Sequence, residues 1–102
     1  MQFDVYENKG DVGGRVPYLL DVQANLLSAL NTRVVAPLVR AQSFGRPASR
    51  LHPILDVGGD QLILATHLLA AVQRADLGVS VASLAAERDR VISAVDVLLA
   101  GV

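Results

Sequence analysis

The amino-acid sequence predicts a mainly β, α+β protein in which antiparallel strands are followed by one C-terminal helix. Three observations lead there. Short alternating or β-branched runs, separated by turn clusters, fill the chain as far as Val81. A Gly-Gly pair at Gly58 and Gly59 sits between two such runs. From Leu84 onward the apolar period changes from two to between three and four.

The first run, Gln2-Phe3-Asp4-Val5-Tyr6, alternates polar and apolar residues, placing Phe3 and Val5 on one face of a strand. Asn8 to Asp11 and Gly13-Gly14-Arg15 are turn-rich. Tyr18 to Gln23 reads as the second strand, and Leu26 and Leu27 fall in the connection after it. Arg33 to Val39 is β-branched and strand-like; Pro37 has no N–H to donate, which assigns it to a sheet edge or bulge. Ser43 to Ser49 reads as a polar loop. Ile54 to Val57, Gly58-Gly59 and Asp60 to Leu64 form a β-hairpin pattern, because paired glycines supply the positive φ of a two-residue turn. Thr66 to Ala75 is compatible with a short helix or a loop, and Val79 to Val81 with a last short strand. Leu84, Arg88, Val91, Val95 and Leu98, flanked by Ile92 and Leu99, make one helical stripe. Ser83 is suited to cap it, Glu87 to face the positive end of its dipole and to pair with Arg90, and Gly101 to end it.

The chain has 102 residues, the size of one ordinary domain, and residues 1–102 are read as a single unit. Its hydrophobic content of 52% and mean hydropathy of +0.41 are high for a domain this small. A surplus of that kind goes into an interface, so a homodimer is expected. Nine basic residues, eight of them Arg, against ten acidic ones leave a formal charge of −1, and the arginines are spread from Arg15 to Arg90. That argues against nucleic acid as the main partner, since phosphate binding calls for a basic excess or stripe. Without cysteine there is no disulfide framework and no thiol chemistry. No signal-like start and no apolar run of about 18–20 residues is present, so a cytoplasmic protein with no membrane contact is expected.

No nucleophile elbow, phosphate-binding glycine loop or metal-binding histidine pair on a helix occurs. His52 and His67, fifteen residues apart, make a weak metal site; His52 is expected to pack or bond to backbone and His67 to face solvent. Asp56 and Asp60 flank the Gly-Gly turn, where Asp ordinarily accepts backbone N–H groups. The expectation is a protein that acts by binding, with no catalytic residues, cofactor or metal.

The order of the pieces carries a resemblance. The chain opens Met1-Gln2-Phe3-Asp4-Val5-Tyr6, continues with Asp21-Val22-Gln23, Val35-Ala36-Pro37-Leu38 and Leu51-His52-Pro53, and ends Leu98-Leu99-Ala100-Gly101-Val102. Across essentially its whole length it resembles the CcdB family of toxins from toxin–antitoxin modules. The resemblance implies an SH3-like barrel closed by the C-terminal helix, a homodimer, and binding to the A subunit of DNA gyrase. It further implies a cognate antitoxin that neutralises the toxin and uses it as co-repressor, so that DNA is met only through the antitoxin. The gyrase-binding residues it implies are Leu26, Leu27, Asp96, Leu99, Ala100, Gly101 and Val102. Leu26 and Leu27 match an Ile-Ile pair of the family. The family tail reads Trp-Gly-Ile, whereas here Ala100 stands at the Trp position and Asp96 at one that usually bears an amide.

Two other functions are weighed against this one. A non-toxic relative that only binds antitoxin fits the loss of the tail aromatic at Ala100. An endoribonuclease of the MazF type, which shares the barrel, would need basic and hydroxyl groups converging on RNA, and Thr32, Arg33 and Arg50 are the candidates.

Overall fold

The structure is a computed structural model that describes residues 1–11 and 13–102; Val12 lies outside the described residues. Among the described residues seven strands run in chain order: β1 (Asp4–Glu7), β2 (Tyr18–Asp21), β3 (Thr32–Arg40), β4 (Ile54–Val57), β5 (Asp60–Leu64), β6 (Ala70–Gln73) and β7 (Ser80–Ser83). Two helices join them, the single turn α1 (Ala41–Phe44) and the thirteen-residue α2 (Arg88–Ala100). The strands form one antiparallel sheet in the order β4-β5-β3-β2-β1-β7, with β6 also on β3. The result is the antiparallel half-barrel with a C-terminal helix that the sequence predicts.

The nine-residue β3 is the spine. One edge pairs with β2, while the other takes β6 along Thr32–Val35 and β5 along Leu38–Arg40. Pro37 sits between the two partners, where its hydrogen-free nitrogen costs no ladder bond, and its carbonyl accepts from the Ala65 N–H at 2.8 Å. The β4–β5 hairpin is as expected: Val57 pairs with Asp60, and Gly58 and Gly59 have φ of 60° and 94°. The Asp56 carboxylate accepts from the Gly59 N–H at 2.9 Å.

Strict alternation along β4 sends one set of side chains inward, whereas β5 buries three consecutive residues, Leu62 to Leu64. In β4, Leu55 and Val57 are buried while Ile54 and Asp56 are exposed. Phe3, Val5, Leu20, Leu38, Leu55, Leu62, Leu64, Leu84 and Val91 form a continuous core. Helix α2 lays Val91 and Ala94 against this core, and Gly101 ends it with its N–H on the Val97 carbonyl at 3.0 Å.

Some local expectations shift. Thr66–Ala75 is neither a helix nor a loop throughout: a 3₁₀ turn (Thr66–Leu68) leads into β6, which the alanine-rich sequence concealed. The polar loop after β3 begins with α1. Ser83 accepts the Ala85 N–H on its Oγ at 3.2 Å but precedes a 3₁₀ turn (Ala85–Glu87) whose N-cap is Leu84, and α2 starts only after that turn. Leu99 leaves the apolar stripe and is 74% exposed.

Candidate functional site

The residues expected to meet a partner lie on two elements. Leu26 and Leu27 form the 3₁₀ turn Asn25–Leu27 between β2 and β3, and Leu26 is 93% exposed. Asp96, Leu99, Ala100, Gly101 and Val102 are all exposed at the end of α2. Among the described residues, no hydrogen bond links the two groups.

The Leu26 turn is firmly held. Gln2 N–H donates to the Asn25 side chain at 2.7 Å, and the Gln23 amide donates to the Leu27 carbonyl at 3.1 Å. From the far side, the Arg74 guanidinium donates to the Ser28 carbonyl and, at 3.0 Å, to the Leu30 carbonyl. A turn fixed at both shoulders keeps Leu26 in water although nothing in its own side chain favours that.

Beneath the turn lies the physical reason for the Asp21-Val22-Gln23 motif. Asp21 is fully buried and takes the Arg33 guanidinium on Oδ2, from Nε at 2.8 Å and Nη2 at 2.7 Å. Its other oxygen accepts from the Gln23 N–H at 3.0 Å. The Gln23 side-chain oxygen Oε1 then accepts from the Val34 N–H at 2.9 Å. Desolvation pushes the neighbouring Tyr6 phenol above its ordinary pKa, with the Asp4 and Asp21 carboxylates adding to the rise and Arg33 and Arg74 opposing it.

The residues weighed for RNA cleavage are not brought together. Arg33 is buried on Asp21, Arg50 bonds the Ser93 hydroxyl at 3.0 Å, and Thr32 is exposed on β3. Arg33 is therefore a structural cation.

The histidines, by contrast, meet. His52 Nε2 and His67 Nδ1 are 2.8 Å apart, and the Ala48 N–H donates to His52 Nδ1 at 2.8 Å. Because Nδ1 accepts, the hydrogen of neutral His52 is on Nε2 and is donated to His67. Burial, then the neighbouring His67, holds the His52 pKa below its usual value. Phe44 of α1 stands edge-on to His52, with ring centroids 4.8 Å apart. The β4–β5 hairpin makes the contact between the histidines: its register, continued by the Leu64 N–H on the Pro53 carbonyl at 3.0 Å, sets His52 opposite Ala65, two residues before His67. His67 is exposed, as expected, and among the described residues no group of three or more potential metal ligands forms.

This combination of a small antiparallel half-barrel and one closing helix also defines the class of a solved structure described as an endoribonuclease in complex with its cognate antitoxin from Mycobacterial species. The two superpose with a TM-score of 0.78 over 97% of this chain and 93% of that one, at 14% sequence identity, so what they share is the fold. The family model for CcdB protein matches residues 2–101. The chain belongs to the CcdB family, toxins of the toxin–antitoxin type.

Proposed function

We propose that the chain acts by binding, as a toxin directed at the A subunit of DNA gyrase, and that its target surface comprises Leu26 and Leu27 with Asp96, Leu99, Ala100, Gly101 and Val102. The observation that carries this reading is the exposure of Leu26 and Leu99, at 93% and 74%, in a chain that matches the family across residues 2–101. Large apolar side chains kept in water on rigid elements are suited to a protein interface. The working unit is a homodimer of the single domain 1–102, held in the cytoplasm in check by a cognate antitoxin, with which it represses its own operon. The antitoxin in the complex of similar fold supports that partner.

The tail determines the strength of the contact. Ala100 offers almost none of the roughly 200 Å² that a Trp buries, and aromatic anchors contribute on the order of 2 kcal/mol or more, about thirtyfold in Kd. Asp96 brings a charge that must be desolvated on docking. Titration of the gyrase A subunit should therefore show weak binding by the wild type. Ala100→Trp should tighten it by about tenfold or more, and Asp96→Asn should add to the gain. If neither the wild type nor Ala100→Trp binds, the gyrase reading fails and the non-toxic, antitoxin-binding reading replaces it.

A further inference from the structure

Most of the eight arginines are occupied. Arg33 pairs with Asp21, Arg40 with Asp60 and the Gly14 carbonyl, and Arg90 with Glu87. Arg50 bonds Ser93, Arg74 bonds backbone carbonyls, and Arg88 lies over the Phe3 ring at 5.8 Å. Among the described residues, the side chains of Arg15 and Arg46 have neither a hydrogen bond nor an ion pair. Both are exposed, and both line one groove of about 480 Å³ together with Ser43, Phe44, His52 and His67. Among the described residues, no Asp or Glu lines it.

We propose that this groove binds a nucleotide phosphate, either free or within a single-stranded nucleic acid, with the base against Phe44. Two unpaired guanidiniums provide planar donor forks suited to phosphate oxygens. The histidine pair adds a directional donor: His52 Nε2–H is spent on His67 Nδ1, which leaves the His67 Nε2–H free of any partner among the described residues. Ser43 adds a hydroxyl. Phe44 is the aromatic wall, and its edge-on contacts with both imidazoles fix its plane. The volume falls within the range of about 300–1,000 Å³ of small-molecule sites. A carboxylate-rich peptide would satisfy the arginines but would make no use of the aromatic wall, which favours a base-bearing ligand.

The groove is also built to hold its shape. Arg40 ties the Arg15 loop down through its side chain to the Gly14 carbonyl at 2.9 Å and its N–H to the Arg15 carbonyl at 2.9 Å. The loop carrying Arg46 is closed by the reciprocal bonds of His52 with Ala48, at 2.8 Å each. The scatter of arginine along the chain hid this convergence. The site takes one or two nucleotides, which requires no basic stripe.

The test is fluorescence anisotropy of the intact protein with a labelled short oligoadenylate RNA and its DNA counterpart, using AMP and polyglutamate as competitors. Saturable binding is expected, with competition by AMP if the free nucleotide suffices and by oligonucleotide alone if the chain is required. Arg15→Gln and Arg46→Gln should each weaken binding by about tenfold or more and flatten the salt dependence by about 0.7 per arginine removed. Arg46→Lys should recover part of the loss, and the unfolding midpoint should not move, because neither side chain has a partner among the described residues. No saturable binding of RNA, DNA or AMP overturns the proposal. So does unchanged affinity in the double variant, and so does polyglutamate outcompeting RNA. The groove is formed by other residues than the proposed gyrase surface, so the gyrase titration stands or falls separately.

Discussion

Asp21 and Arg33 show how a single buried pair holds both the sheet and the candidate surface. Each is almost wholly out of water, and Gln23 hangs from the same carboxylate. Removing one partner leaves a buried charge uncompensated, so Asp21→Ala should cost about 3–5 kcal/mol in urea unfolding, and replacing both residues by apolar ones should recover much of the loss. His52 makes a second prediction at this scale. Its folded pKa lies below the unfolded value near 6.5, so the unfolded chain binds more protons in the window between the two. The associated stability is fully present above about pH 6.5 and is lost as pH falls through the folded value. The unfolding midpoint should drop on acidification through this window, and His52→Leu should flatten that slope. Sequence reading found the Asp21-Val22-Gln23 motif without its cause, because only the fold reveals that Arg33 is its counter-ion. It placed His67 in solvent correctly and left His52 apart from it, although the predicted hairpin, extended past Ile54, sets the two side by side.

At the scale of elements, what was legible is what local chemistry determines. The hairpin was readable because two consecutive positive-φ positions require residues such as the Gly58-Gly59 pair. Gly59 has φ of 94°, so Gly59→Val should destabilise the protein by at least about 1–2 kcal/mol, seen as a lower thermal midpoint. The end of α2 at Gly101 was readable for a similar local reason. β6 was not, because Ala70 and Ala71 favour helix intrinsically and become a strand only through pairing with Val35 and Val34. The start of α2 was misplaced because the 3₁₀ turn Ala85–Glu87 intervenes between Ser83 and the helix. Close approach explains one further glycine: a Cβ at Gly78 would lie 2.7 Å from the Glu7 carbonyl oxygen, at the β1–β7 junction.

For the molecule as a whole, the apolar surplus read from composition remains visible as side chains in water. Val79, Val81, Leu68, Leu99 and Val102 are each more than 40% exposed. A homodimer should bury part of that surface, and light scattering at micromolar concentration should report about twice the 10.8 kDa chain mass. A mass that stays at one chain across dilution would count against it. The fold class was legible at this scale because strand-length runs and one helical period survive any rearrangement of loops. The proposed target surface, at the Leu26 turn and the α2 tail, rests on family resemblance and not on any local pattern of the sequence. The cationic groove was not legible, since Arg15 and Arg46 come from separate loops.

The pairing of β1 with β7 has a kinetic consequence. Asp4 is partnered by Ser83, and Phe3 accepts from the Leu84 N–H, so strands from opposite ends of the chain must meet. Such long-range closure is slow and brings its reward late. On a ribosome adding about 5–20 residues per second, β1 waits with an unpaired edge until Ser80–Ser83 and α2 have been made. A sheet of this design closes only after Ser80–Ser83 have emerged, so the joining of its first and last strands is a late event of synthesis.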